Sequence, residues 1–253
     1  HTCMITVENI SKSFGNKKVL EDVTCEFDKG KINLIIGGSG QGKTVLMKCA
    51  VGLFEVDKGK VLYDGRNFSE MTFGERKLIR QEIGMLFQGG ALFDSLTVEQ
   101  NVTFPLKMFT NMTTAEKRDR ANFCLHRVNL ENVNHLLPSA ISGGMKKRVA
   151  IARAIAMNPR YLFCDEPNSG LDPKTSILID ELIKEITEEY DITTVINTHD
   201  MNTVMSMGEK IIFIYNGKKF WEGNNEDIMH SENKELNDFV FASRWMQAVK
   251  KHF

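Results

Sequence analysis

Apolar and polar residues alternate from Met4 to Phe27, with Ile5 and Val7 and then Val23, Cys25 and Phe27 on one face. A period of two predicts antiparallel strands with one buried side. After Lys31 the pattern changes: Ile32 to Ile36 is a compact apolar run leading into a glycine cluster, and Val45 to Leu53 follows with helical spacing. This predicts a strand, a loop and a helix. Further apolar runs at Tyr161 to Cys164 and Thr194 to Ile196 are separated by a helical pattern from Pro173 to Tyr190. Such alternation indicates an α/β fold built on a parallel sheet. Thr97 to Met108, Thr114 to Val128 and Gly143 to Met157 all have helical spacing, with Ala121, Cys124, Leu125 and Val128 on one face of the second. They predict a helical subdomain over about residues 90–157, inserted in the sheet domain. Asn216-Gly217, between Ile211 to Tyr215 and Lys218 to Trp221, marks a closing hairpin. The chain therefore divides into one domain, residues 4–241, and a C-terminal tail, 242–253, with His1 to Cys3 outside the pattern.

With 253 residues and 42% apolar content there is ample material for a core, which excludes a disordered or fibrous chain. Lys plus Arg number 32 against 33 Asp plus Glu, so no global basic field points to nucleic acid. The five cysteines are scattered without a CxxC pair, which argues against a disulfide framework or a zinc cluster and fits a reducing cytosol. No run approaches the ~18 apolar residues of a membrane span, and no leader pattern opens the chain. The chain is expected neither to span nor to cross a membrane unaided.

The glycine cluster carries the most specific chemistry. Gly37-Gly38-Ser39-Gly40-Gln41-Gly42-Lys43-Thr44 matches GxxxxGK[ST] in full, between an expected strand and an expected helix. Glycines let backbone N–H groups converge on phosphate oxygens, and the helix N-terminus adds its positive end. Lys43 supplies a point charge to the β and γ phosphates, and the Thr44 hydroxyl is a ligand for Mg²⁺. Ser142, in Ile141-Ser142-Gly143-Gly144-Met145, is placed to cap the next helix, either as ordinary capping or as part of a second anion site. Tyr161 to Cys164 ends in Asp165-Glu166. Asp165 suits Mg²⁺ through water, and Glu166 suits a general base for the attacking water.

Together these motifs resemble the nucleotide-binding subunit of ABC transporters over nearly the whole chain. The resemblance implies a P-loop ATPase fold with a RecA-like parallel-sheet core, an N-terminal antiparallel part and an inserted helical subdomain. It implies ATP and Mg²⁺ as cofactors. Phe14 falls where the family stacks an aromatic on adenine, although a core Phe fits the local pattern equally. Gln88 corresponds to the Q-loop glutamine, which senses Mg²⁺ and the membrane partner. Asp172, in Ser169-Gly170-Leu171-Asp172, falls in the D-loop, and His199 corresponds to the switch histidine at the γ-phosphate. Ser142, Gly143 and Gly144 would bind ATP held by the opposite subunit, so catalysis would need a head-to-tail dimer of this chain. Val45 departs from the family pattern, which often has a second hydroxyl there.

Ser142 follows Lys43 by 99 residues, too few for the long coiled coils of DNA-repair relatives. A separate integral-membrane permease is then the expected partner, with the chain peripheral on the cytoplasmic face of the inner membrane. The string from Phe87-Gln88-Gly89-Gly90-Ala91-Leu92-Phe93 through Asn101-Val102 to Phe104-Pro105-Leu106, with Met145 after the signature glycines, is similar to Mla-type ATPases of MCE-associated phospholipid transporters. That similarity implies phospholipid transport and an MCE-type lipid-binding protein as a further partner. The alternatives are an importer of a small polar solute and a soluble ABC ATPase without a permease. Ala91, Leu92 and Phe93 would suit a groove for a permease helix or the interior of the helical subdomain. Trp245, Val249 and Phe253 recur at i, i+4 and i+8 among Arg244, Lys250 and Lys251. This basic amphipathic tail would dock on the other subunit, touch anionic lipid or fold onto its own core.

Overall fold

Alternation in the first residues becomes an antiparallel ribbon, β1 (Cys3–Phe14) with β2 (Lys17–Asp28), whose Ile5, Val7, Val23, Cys25 and Phe27 are buried. The structure, a computed structural model, describes residues 3–88 and 92–252, with side chains from Ile5 onward. The chain divides into two compact units: one comprises the residues up to Arg76 with those from Thr193 onward, and the other comprises Lys77–Ile192.

In the first unit β4 (Lys58–Tyr63) and β5 (Arg66–Asn67) extend the ribbon in the order β2-β1-β4-β5. A second layer centres on β3 (Ile32–Ile36), all of it buried, as suits a strand covered on both faces. It pairs in parallel with β8 (Thr193–Thr198) on one side and β9 (Lys210–Tyr215) on the other. The predicted hairpin joins β9 to β10 (Lys218–Gly223) through Asn216 and Gly217, both at positive φ. After β3 comes α1 (Lys43–Ala50), shorter than the apolar spacing to Leu53 predicts. Gly52 turns to φ 76°, and the Leu53 and Phe54 amides fold back to the Lys48 carbonyl. The short helices α7 (Met201–Met207), α8 (Asn225–His230), α9 (Lys234–Val240) and α10 (Arg244–Lys250) complete the unit.

α10 forms within the expected tail, but with a different inner face. Met246 is buried and Lys250 donates to Asn237 Oδ1 and the Ser231 carbonyl, whereas Trp245 is 69% exposed. The two Lys250 bonds and the buried Met246 therefore set the helix rotation, and Trp245 is left on the outer side. Phe253 lies outside the described residues.

The helix α2 (Phe73–Gln81) precedes β6 (Ile83–Leu86), which pairs in parallel with β7 (Tyr161–Asp165) in the second unit. Around this pair lie α3 (Val98–Phe109), α4 (Thr114–Arg127), α5 (Gly143–Ile155) and α6 (Pro173–Glu189). Thr97 with Gln100 and Thr113 with Glu116 form capping boxes that start α3 and α4. Arg120 of α4 donates to the Ile155 and Ala156 carbonyls and so satisfies acceptors that the end of α5 leaves open. Among the described residues no helix is long and apolar enough to cross a membrane.

Candidate functional site

The loop from β3 into α1 follows a backbone path that requires glycine at Gly37 and Gly42. Gly37 lies at φ 151°, where a Cβ would stand 2.4 Å from the Ile214 carbonyl oxygen. Gly42 caps α1 from a left-handed conformation, and no acidic residue occupies the first turn. No carboxylate there competes with an anion for the positive end of the helix. Lys43 is buried, and its ammonium donates to the Gly37 carbonyl at 2.6 Å and the Gly38 carbonyl at 3.2 Å. The β9–β10 turn braces the same loop: the Asn216 amide donates to Gln41 Oε1 at 2.6 Å and the Gly217 amide to the Gln41 carbonyl at 3.0 Å. Strand register brings His199 into this neighbourhood, since Ile36 pairs with Thr198 and the chain leaves both strands one residue later. His199 is exposed, and Asp200 caps α7 through the Asn202 amide.

Phe14 ends β1 with 44% of its surface exposed, which excludes a plain core role for it. Its ring stands edge to face with Phe54 at 5.2 Å between centres, and the Lys12 ammonium lies 5.2 Å from its centre. A ring so held still offers surface for stacking a planar base.

The second unit gathers the other residues in two groups. Leu86 pairs with Cys164, so Gln88, just beyond β6, emerges beside Asp165 and Glu166 at the end of β7. Both carboxylates are buried, and Glu166 takes φ 49°, a left-handed turn uncommon for a residue with a Cβ. Backbone strain of this kind often accompanies a placed functional group. The second group joins the start of α5 to that of α6. The Ser142 hydroxyl accepts from the Met145 amide at 3.2 Å, as a cap should. A Cβ on Gly144 would stand 2.8 Å from Thr175 Cγ2, so the missing side chain lets the two helix starts approach. Asp172 caps α6, accepting from the Thr175 amide at 3.0 Å and the Thr175 hydroxyl at 2.6 Å; these bonds hold its carboxyl below the usual range. Gly89, Gly90 and Ala91 lie outside the described residues. Phe93 is exposed against Phe104, its backbone held at both ends by the buried Asn101 amide group.

The donors Thr44, Gln88 and Asp165 offer oxygen alone, the chemistry a hard cation such as Mg²⁺ selects. No cluster of three His, Cys, Asp or Glu forms a self-contained metal cage among the described residues.

One unusual group escapes the motifs. Lys147 on α5 is 6% exposed, and its ammonium has no hydrogen-bond partner among the described residues. Burial lowers its pKa. In sequence it sits in the basic run Lys146-Lys147-Arg148, which reads as a solvated face. The available signal is periodicity, since it stands four, seven and eight residues before the buried Ile151, Ala154 and Ile155.

Comparison with known proteins places the chain in a family. The family described as ABC transporter matches residues 20–169. The methionine import ATP-binding protein MetN 1 of Oceanobacillus iheyensis is 40% identical over 242 residues, covering 94% of this chain and 71% of that protein. The probable ribonucleotide transport ATP-binding protein mkl of Mycobacterium leprae is 35% identical over 240 residues, covering 95% of this chain and 69% of the relative. Among solved structures, the post-hydrolysis dimer of the ATP-binding cassette MJ0796 bound to ADP and Pi superposes with a TM-score of 0.80 at 34% identity, over 88% of this chain and 99% of that one. Since the family match spans more than half of the chain and these relatives cover 94% and 95% of it, the chain belongs to the ABC transporter family, as an ATP-binding ATPase domain.

Proposed function

We propose that this chain drives a membrane transporter by closing head to tail with a second copy around two ATP molecules, and that its cargo is a small polar solute taken up through a separate permease. The strand register carries the catalytic part: a braced phosphate loop beside His199 in one unit, and Gln88 beside two buried carboxylates in the other. The backbone of Gly37 to Gly42, with Lys43, holds the β and γ phosphates. Thr44, Gln88 and Asp165 are the residues that would hold Mg²⁺, which would neutralise charge on the phosphate oxygens. Glu166 accepts the proton of the attacking water, and His199 steadies the γ-phosphate. Ser142, Gly143 and Gly144 of one copy contact the nucleotide of the other, Asp172 lies at the same interface, and Phe14 stacks on adenine. Hydrolysis then weakens the closed dimer and moves the attached permease helices.

The relatives named for methionine import and ribonucleotide transport support a polar solute as cargo. They shift the leading assignment away from the phospholipid that the Gln88 to Leu106 string implies. Met145 after the signature glycines favours the lipid alternative, with an MCE-type protein as partner.

Purification from detergent-solubilised membranes, with co-purifying proteins and lipids identified, separates these readings. A permease with a solute-binding protein supports the first. A permease with a single-span lipid-binding protein and bound phospholipid replaces it with the second, and absence of any permease overturns both. Ser142→Arg tests the shared site independently: closure and turnover should be lost while ATP still binds.

A further inference from the structure

Phe14 is held by contacts that begin at the phosphate loop's own helix. α1 ends at Ala50, and in the turn after it the Leu53 and Phe54 amides donate hydrogen bonds of 2.8 and 3.2 Å to the Lys48 carbonyl. The Lys48 ammonium lies 5.3 Å from the centre of the Phe54 ring, which in turn meets Phe14. Three residues on, Asp57 grips the end of β1 at three points. Its amide donates to the Ser11 carbonyl at 3.0 Å, its Oδ2 accepts from the Ser13 amide at 2.6 Å, and its Oδ1 accepts from Lys12 Nζ at 3.4 Å. Those three partners immediately precede Phe14, and Lys12 also covers part of its ring.

We infer that Phe54 and Asp57 are positioning residues for the nucleotide base. They lock Phe14 to α1, so that the base platform and the phosphate loop keep a constant separation and ATP is gripped at both ends at once. The inference rests on the proposal that Phe14 stacks on adenine. Its physical basis is preorganisation. An exposed ring on a loose strand end would lose rotamer and backbone freedom on binding, and the clamp removes that cost beforehand. Asp57 is itself surface-exposed with its carboxyl lowered, first by the Ser13 amide, so it accepts these bonds as an anion across the neutral range.

The test compares two probes on the purified full chain: a non-hydrolysable ATP analogue, and inorganic tripolyphosphate, which has no base. Phe54→Ala and Asp57→Ala should each weaken the ATP analogue about five- to tenfold, the scale of one lost base-stacking contact. Tripolyphosphate should bind within about twofold of the parent, since the phosphate loop is intact. Asp57→Asn keeps an acceptor for the Ser13 amide and should recover most of the loss. Phe14→Ala sets the ceiling and tests the underlying proposal. If it leaves the ATP to tripolyphosphate ratio unchanged, Phe14 is not the base platform and the inference falls with it. If Phe14→Ala lowers that ratio while Phe54→Ala and Asp57→Ala do not, or weaken both probes equally, the platform stands and the clamp is refuted.

Discussion

Replacing Lys147 by Met should make the protein more stable. The side chain is 6% exposed on α5 and its ammonium has no hydrogen-bond partner among the described residues. Met has a similar unbranched length and keeps the packing of the stem while removing the charge. Leaving a buried polar group unsatisfied costs about 1–3 kcal/mol, and the substitution should recover about that much. For a chain of this size each kcal/mol moves the unfolding midpoint by roughly 2–4 °C. The sign of the pH dependence follows from the lowered pKa. Between that lowered value and the ordinary lysine value of about 10.4, the unfolded chain binds more protons at this site than the folded one. Parental stability should therefore rise with pH across that window. The advantage of Lys147→Met is full below the lowered pKa and shrinks as pH climbs toward the ordinary value. Chemical denaturation of both proteins at a series of pH values between 7 and the alkaline limit reads this directly. If Lys147→Met is the less stable protein at neutral pH, or its difference from the parent does not change with pH, then the ammonium is satisfied and the argument fails.

Gly37→Ala places a Cβ 2.4 Å from the Ile214 carbonyl, so it should cost about 1–3 kcal/mol in overpacking and weaken ATP binding at least tenfold by calorimetry; retained affinity would mean the loop path is not what holds the phosphates. Glu166→Gln should slow turnover by roughly 10²–10⁴, the range for a lost general base, and leave an ATP-bound dimer on size-exclusion chromatography, whereas parental turnover would remove Glu166 from that role. Cys25, Cys49, Cys124 and Cys164 are buried, with burial pushing Cys25 up to about 12 and Cys49 and Cys124 to about 11; alkylation of these four at pH 8 should wait for unfolding, and rapid labelling of any one in the native protein would contradict its burial.

Much of this architecture is legible in one dimension because a strand that feeds a site from a parallel sheet is a short apolar run with its functional residue directly after it. Gly37 follows β3, His199 follows β8, Gln88 follows β6, and Asp165 with Glu166 closes β7. Caps are equally local, which is why Ser142 and the helix it starts stand out from the sequence. The elements that escape it are short or mostly polar. β4 begins Lys58-Gly59-Lys60 with only Val61 and Tyr63 buried, and α2 buries Ile79 alone, so neither shows a face long enough to count. The rotation of the tail helix is not legible for the opposite reason. Its Trp245 spacing is regular, but the Lys250 bonds to Asn237 and Ser231 orient α10 differently.

What the motifs omit is the machinery that holds them rigid, and this omission has a physical cause. Asn216 and Gly217 lie 175 residues or more from Gln41, and Asp57 lies 44 residues from Ser13; no local pattern links residues across such distances. In the bonds from Asn216 and Gly217 to Gln41 and from Ser13 to Asp57 the donor is a backbone amide, which carries no residue identity, so the sequence shows only an ordinary turn and an exposed acid. Yet a phosphate loop binds well only if its amides already point inward, since ordering them on binding would consume part of the affinity. On the proposed reading, the hairpin brace on Gln41 and the Asp57 grip on β1 therefore support ATP affinity indirectly, through the freedom they remove beforehand.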